Sequence, residues 1–528
     1  MTPPRIKENF STSQVIRKTA CQSSGGIVAA QHRLAAEVGA QVLAKGGNAI
    51  DAAIATSFAI GVVEPWMSGL AGGGAMVIYD ARNNKTHAID YGMRSPKALN
   101  CDDYPLSTGT ADDLFEWPQV EGERNLHGPG SIAVPGLVDG ARIAHEKFAT
   151  RPWAELVQPA VDLATEGPIL DWYSSLLIMC AARQINLYDT SREIYFRDGF
   201  PIISQWTAAF EDHLDFSQLA QSLKQVAEKG PRELYDGDLA RAIISDVQKL
   251  GGCLGEDDLS SYRASLVDPL NITYRDAVIS VVPGLTAGPT MAHTLAQLEQ
   301  AMPHPGNAPD ATMFATYANS LQQAYADRLA TMGDVEGGRG ETCTTHFNVV
   351  DADGNMVSMT QTLLSLFGSK VTLPATGILM NNGIMWFDPA PGNPNSLGPD
   401  KKCLMNVCPA IGRKQDMAFA LGASGGRKIM PAVMQLSSFL CDFNMDLEQA
   451  FHHPRIDMSG GGVVVADIAL GEEVHQLIGR DHPLQPARRL SYPYHFACPS
   501  AVSRKSGINS GISEIMSPWG DAIAENRF

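Results

Sequence analysis

Hydrophobic patterning along the 528 residues predicts a mixed α/β protein. Helical periodicity marks 32–44, 48–63, much of 136–250, and 312–330. Alternating strand-turn-strand patterns mark 75–91 and 344–363. The composition, 44% hydrophobic and 18% charged, is that of a globular chain able to bury a large core. Length alone points to about three domains, yet large α/β enzymes can stay one unit.

Taken in order, Gly26 to Ala30 is a short strand. The next helix places Leu34, Val38, Val42 and Leu43 among its apolar positions and stops at Gly46-Gly47. Asn48 can cap a second helix, through Ala52, Ile54 and Phe58 to about Val63. Glu64 to Gly74 is a glycine-dense loop. Ala75 to Asp80 and Thr86 to Tyr91 form a hairpin. Pro152, Pro168 and Gly230 break the helical stretch that follows. Asp276 to Val282 is a strand, and Thr312 to Ala330 is a helix. No fixed-period repeat is present.

Gly333 to Cys343 reads as a flexible glycine-rich linker running into a second hairpin. Its strands are Thr344 to Val350 and Met356 to Leu363, joined by Asp351 to Asn355. Pairing Asp351 with Asn355 puts Thr344 opposite Thr362. The Asp-x-Asp of the turn lacks the spacing and closing Glu of a calcium loop, so it reads as a turn. A threonine after a flexible linker suits an N-terminal nucleophile. Its hydroxyl can attack the Cys343 carbonyl and convert the amide to an ester, which water releases. The freed α-amine, with a reference pKa of ~7.7–8, can serve as base for its own hydroxyl.

Net charge is −17 and the isoelectric point about 5.2. That acidity argues against nucleic-acid or anionic-membrane partners. The nine cysteines are scattered without a CxxC pair, which points to reduced thiols rather than zinc or disulfides. The N-terminus has no apolar signal core, and no apolar run reaches the ~18 residues of a membrane helix. The expected location is the cytoplasm. His32, His127, His346, His452 and His453 show no ligand spacing, so neither metal nor cofactor is expected.

Several motifs together carry a family resemblance. They are Gly25 to Gln31, Gly46 to Ala53, Glu64-Pro65, Gly72 to Gly74, Val134 to Gly136 and Ala324 to Arg328. Thr344 to Asn355, Phe367-Gly368, Asn381-Asn382 and Ser424 to Gly426 follow in order. The chain resembles the gamma-glutamyltranspeptidases over nearly its whole length. That resemblance implies the four-layer αββα sandwich of Ntn hydrolases. It implies a large subunit, 1–343, and a small subunit, 344–528, cut from one precursor. Together they form one unit, a heterodimer or a dimer of heterodimers. By the same resemblance Thr344 is the nucleophile, Thr362 its hydrogen-bonding companion, and Gly425 and Gly426 the oxyanion donors.

The glutamyl head-group positions depart from the family. Its carboxylate-binding arginine aligns with Gly92, and Arg94 lies two residues on. Its asparagine aligns with Leu364, its glutamine with Gly383, and its ammonium-binding acid with Trp386. Its serine pair reads Met405-Asn406. Such a site binds a glutamyl group poorly. Leu364, Trp386 and Asn406 then shape a smaller pocket, and Arg94 and Arg427 are the cations for an anionic substrate. The profile is similar to oxamate amidohydrolase, an enzyme of purine breakdown that converts oxamate and water to oxalate and ammonia. The alternatives are a gamma-glutamyltransferase or glutathione hydrolase with a rearranged clamp, an acylase for apolar-acid amides, and an uncleaved non-catalytic paralogue. Phe387 to Gly398 is a Pro/Gly loop that could act as a lid.

Overall fold

The computed structural model describes residues 11, 15–110, 117–207, 211–332, 343–459 and 462–528. The expected linker, up to residue 342, lies outside the described residues. Two seven-stranded antiparallel sheets form the centre. Their strands in chain order are β1 (Cys21–Ser23), β2 (Ile27–Ala30), β3 (Gly73–Asp80), β4 (Lys85–Tyr91), β5 (Ser265–Val267), β6 (Leu270–Tyr274) and β7 (Ala277–Val281). Then come β8 (Cys343–Val350), β9 (Met356–Leu364), β10 (Ala410–Lys414), β11 (Met417–Ser424), β12 (Cys498–Lys505), β13 (Ile508–Ser513) and β14 (Asp521–Ala524). One sheet runs β5-β4-β3-β9-β8-β2-β14, the other β1-β13-β12-β11-β10-β7-β6.

Side-chain alternation divides each sheet between two cores. Val28, Ala30, Met76, Ile78, Phe347 and Val349 belong to a core shared with α1 (Arg33–Ala44) and α2 (Ala49–Val63). Their neighbours Ile27, Ala29, Ala75, Val77 and Val350 join Ile411, Ala420 and Val502 of the second sheet in an inter-sheet core. The far face of the second sheet supplies Ala410, Phe419, Leu421 and Ala501. These pack with α3 (Gly288–Ala301), α4 (Ala311–Thr331) and α5 (Ile429–Asp442). Three cores between four layers make the αββα sandwich.

Local signals place these elements. Asn48 caps α2 by accepting from the Ile50 and Asp51 amides, each at 2.9 Å. Every residue of α2 is buried, as befits a helix between a sheet and other helices. The helices at 137–148, 153–166, 172–185 and 217–229 respect the breaks at Pro152, Pro168 and Gly230. Two ladders of two-residue strands interrupt that stretch unannounced, Ile169–Leu170 with Asp212–His213 and Phe196–Arg197 with Phe200–Pro201. Among the described residues no helix is long and apolar enough to cross a membrane.

Candidate active site

Thr344 stands at the start of β8. From Val350–Met356 to Thr345–Gln361 the β8–β9 ladder keeps the register set by the Asp351–Asn355 turn. The ladder then slips, and Cys343 pairs with Leu364. The expected face-to-face pairing of Thr344 with Thr362 is therefore replaced by a bulge. Two residues of β9, Thr362 and Leu363, stand there against the single Thr344 of β8, so the extra residue belongs to β9. Thr344 is 1% exposed, and its buried Oγ1 has no hydrogen-bond partner among the described residues. A buried hydroxyl left so costs ~1–3 kcal/mol.

Thr362 is buried on β9, and its Oγ1 accepts the Leu364 N–H at 2.8 Å. Leu364 has φ +92°, a left-handed conformation that strains a side-chain-bearing residue. The strained residue thus sits directly across from Cys343. Beside β9 in the sheet lies the glycine run that enters β3. A Cβ at Gly74 would stand 2.1 Å from the Thr360 carbonyl oxygen, and one at Gly72 2.8 Å from that of Thr362. The Gly72 carbonyl accepts from Gly136 N at 2.8 Å and Leu137 N at 2.9 Å. These two motifs pack tightly against the backbone at Thr362.

The glycine pair follows β11. Gly425 has φ +128° and Gly426 φ +70°, backbone that only glycine adopts without strain. From there a short turn leads into α5, so the pair's amides lie at the entry to a helix N-terminus, where N–H groups are suited to hold negative charge.

Buried side chains missed in the sequence connect this turn to β8. Thr345 Oγ1 lies 2.6 Å from Glu64 Oε2 and 3.0 Å from Gln31 Oε1. Gln31 Nε2 donates to Ser424 Oγ at 2.6 Å. A single glutamine therefore separates the neighbour of Thr344 from the neighbour of Gly425. Glu64-Pro and Gln31 both stand within the family motifs, and that was their only signal.

The head-group candidates fare differently. Arg94 Nη2 lies 3.2 Å from Asp400 Oδ1 and donates to its carbonyl at 2.8 Å. It borders a cavity of about 180 Å³ whose lining includes Asp90, Lys402 and Arg263, but not Thr344, Thr362 or the glycine pair. Arg94 is thus ion-paired with Asp400. Arg427 is 7% exposed and directly follows the glycine pair. Beyond it, burial pushes the Asp457 carboxyl up to about 6, against the opposing charges of Lys428 and Arg427. Arg328 was quoted only as part of a motif. It is 2% exposed, and donates to Met405 O at 2.9 Å, Asn406 Oδ1 at 3.0 Å and Thr286 O at 2.8 Å. Burial, with a smaller contribution from the charge of Arg427, lowers its pKa to about 10.

Leu364 and Trp386 are fully buried in the inter-sheet core. Asn381 and Asn382 are staples: Asn381 Oδ1 accepts from Ala133 N at 2.9 Å, and Asn382 Nδ2 donates to Leu126 O at 2.7 Å. The loop expected as a lid is stitched at its base. Asp388 N donates to Asn395 O at 2.9 Å, and Leu397 N to Asp388 O at 2.8 Å. His346 bonds Thr360 Oγ1 at 2.8 Å, and burial lowers its pKa to about 3, so it is neutral. The Asp351 carboxylate accepts from Ala49 N at 3.0 Å and Asn355 N at 2.9 Å, which is the work of a turn residue.

Comparison with known proteins accords with this architecture. The sequence profile described as Gamma-glutamyltranspeptidase matches residues 35–340 and 337–496. The chain is 32% identical to the Acylase ACY 1 proenzyme of Pseudomonas sp. (strain V22), over 90% of each chain. It is 30% identical to the glutathione hydrolase proenzyme of Bacillus subtilis (strain 168), over 86% of this chain and 83% of that one. The fold superposes on cephalosporin acylase from Bacillus halodurans with a TM-score of 0.83, at 22% identity, covering 98% of this chain and 99% of that one. The chain belongs to the gamma-glutamyltranspeptidase family of N-terminal nucleophile hydrolases, and is an amide-cleaving enzyme.

Proposed function

We propose that the chain cuts itself between Cys343 and Thr344, and that the freed Thr344 hydrolyses a small anionic amide, converting oxamate and water to oxalate and ammonia. In the first event Thr344 Oγ bonds to the Cys343 carbonyl carbon and the peptide C–N bond breaks. Water then hydrolyses the ester, leaving a carboxylate on Cys343 and an α-amine on Thr344. In turnover that amine takes the hydroxyl proton while Oγ attacks the substrate carbonyl. The Gly425 and Gly426 amides hold the oxyanion. Ammonia leaves with a proton, and water releases the acid. The proenzyme names of the relatives support the first event.

One observation carries the substrate reading: a buried arginine, Arg427, adjoins the glycine pair, while Gly92, Leu364, Gly383 and Trp386 occupy the head-group positions. A carboxylate on the acyl group would meet that cation, whereas a glutamyl ammonium would meet tryptophan. A second reading, an acylase for larger apolar amides, is favoured by the acylase relative and by the apolar Leu364, Met385 and Trp386.

Ammonia or amine release from oxamate, a gamma-glutamyl anilide and an apolar acyl amide separates these readings. Oxamate should be hydrolysed and the anilide left nearly untouched. Arg427→Ala should raise KM for oxamate by roughly tenfold or more over any change for a neutral amide, as loss of a charged hydrogen bond does. Arg94→Ala should change neither. Efficient glutathione turnover without ammonia from oxamate would restore the glutamyl reading, and turnover of the apolar amide alone would favour the acylase.

A further inference from the structure

The link between Thr345 and Ser424 contains more information than its distances. Glu64, Thr345, Gln31 and Ser424 are all buried. Gln31 Nε2 donates to Ser424 Oγ at 2.6 Å and to the Cys498 carbonyl at 2.7 Å. A carbonyl only accepts, so the amide cannot be turned the other way. Gln31 Oε1 must then accept, and the single Thr345 hydroxyl proton goes to it. With that proton on the Gln31 side, the Thr345 oxygen can bond Glu64, 2.6 Å away, only by accepting. A carboxyl group donates only when protonated.

We infer that Glu64 is a neutral carboxylic acid and a positioning residue, which through Thr345, Gln31 and Ser424 locks the nucleophile strand to the oxyanion turn. The inference rests on the reading of Thr344 as nucleophile and Gly425-Gly426 as oxyanion donors. Glu64 closes α2, Gln31 follows β2, Thr345 lies on β8 and Ser424 ends β11. The chain of bonds thus joins both sheets at the site. Burial pushes the Glu64 carboxyl up to about 7. The titratable neighbours that feel its charge are Tyr173, Tyr494 and Cys498, each held neutral by burial. Below about pH 7 the acid donates and the link is complete. Above that pH the carboxylate demands the Thr345 proton, the hydroxyl turns, and Gln31 Oε1 loses its donor.

Self-cleavage of full-length chain made by cell-free translation tests this without any substrate. First-order rates of wild type, Glu64→Gln, Glu64→Ala and Thr344→Ala would be followed on denaturing gels from about pH 6 to 9. Glutamine keeps an N–H donor at every pH, so at pH 6 E64Q should cleave within about threefold of wild type. The ratio of wild type to E64Q should fall about fivefold as pH rises through 7, the worth of one hydrogen bond. E64A should cleave about 10–100-fold slower at pH 6. A pH-independent ratio between wild type and E64Q overturns the inference even if E64A fails to fold, and so does E64A cleaving at the wild-type rate. Cleavage of the T344A chain would instead overturn the reading of Thr344. T344A remaining whole while the Glu64 variants match wild type would sink the positioning role alone.

Discussion

Thr344 Oγ1 is a buried hydroxyl with no hydrogen-bond partner among the described residues, one position past Cys343, which pairs with the strained Leu364. Thr362 supports that strain by accepting the Leu364 amide. Thr362→Ala should therefore lower kcat by roughly tenfold to a hundredfold, while Thr362→Ser, which keeps the acceptor, stays within about threefold. Turnover after cleavage, measured beside thermal melting, checks this; a change in melting alone would make Thr362 purely structural. At this scale the motif residues were legible and their partners were not. Glu64 and Gln31 reach Thr345 across 281 and 314 residues of sequence. Arg94, which alignment places near a family arginine, pairs with Asp400, 306 residues away.

Elements whose partners are near in sequence were readable. The β8–β9 hairpin and its register followed from the turn at Asp351, because a short turn fixes which residues face each other. The bulge at Thr344 was not readable, since it arises where the ladder meets the Leu364 turn. Nor were β10 to β13 assigned from the sequence. Of these, β10 to β12 contribute residues to cores on both faces and lack the alternation that marks a half-exposed strand. The glycines of β3 act at this scale too. Gly74 has φ +155°, and its Cβ would strike the Thr360 carbonyl. Gly74→Ala should cost at least ~2 kcal/mol by forcing β3 from β9. Denaturant unfolding of the variant would show it, and unchanged stability would mean the two strands separate freely.

Across the whole molecule, the proposed cut falls inside a shared sheet. In the order β5-β4-β3-β9-β8-β2-β14, strands on either side of the cut alternate. The pieces 1–343 and 344–528 are hydrogen-bonded to each other along β3–β9, β8–β2 and β2–β14. The cleaved protein should therefore elute as one species in gel filtration and part only in denaturant; separation in native buffer would refute this interlacing. Glu64 adds a pH dependence. Its carboxyl moves from 4.5 to about 7 on folding. Its contribution is fully present below pH 4.5 and is lost as pH rises through about 7, amounting to ~3 kcal/mol. E64Q should remove that slope from the stability–pH curve. The four layers became legible only through the family motifs, since hydrophobic patterning alone could not decide how two seven-stranded sheets stack.

The central claim is that Thr344 is both the cleavage point and the nucleophile. Intact-mass measurement of the purified protein, paired with its turnover, tests that most directly. Active protein should consist of two chains, the smaller running from Thr344 to Phe528. Full activity in an uncut chain of 528 residues would contradict the account.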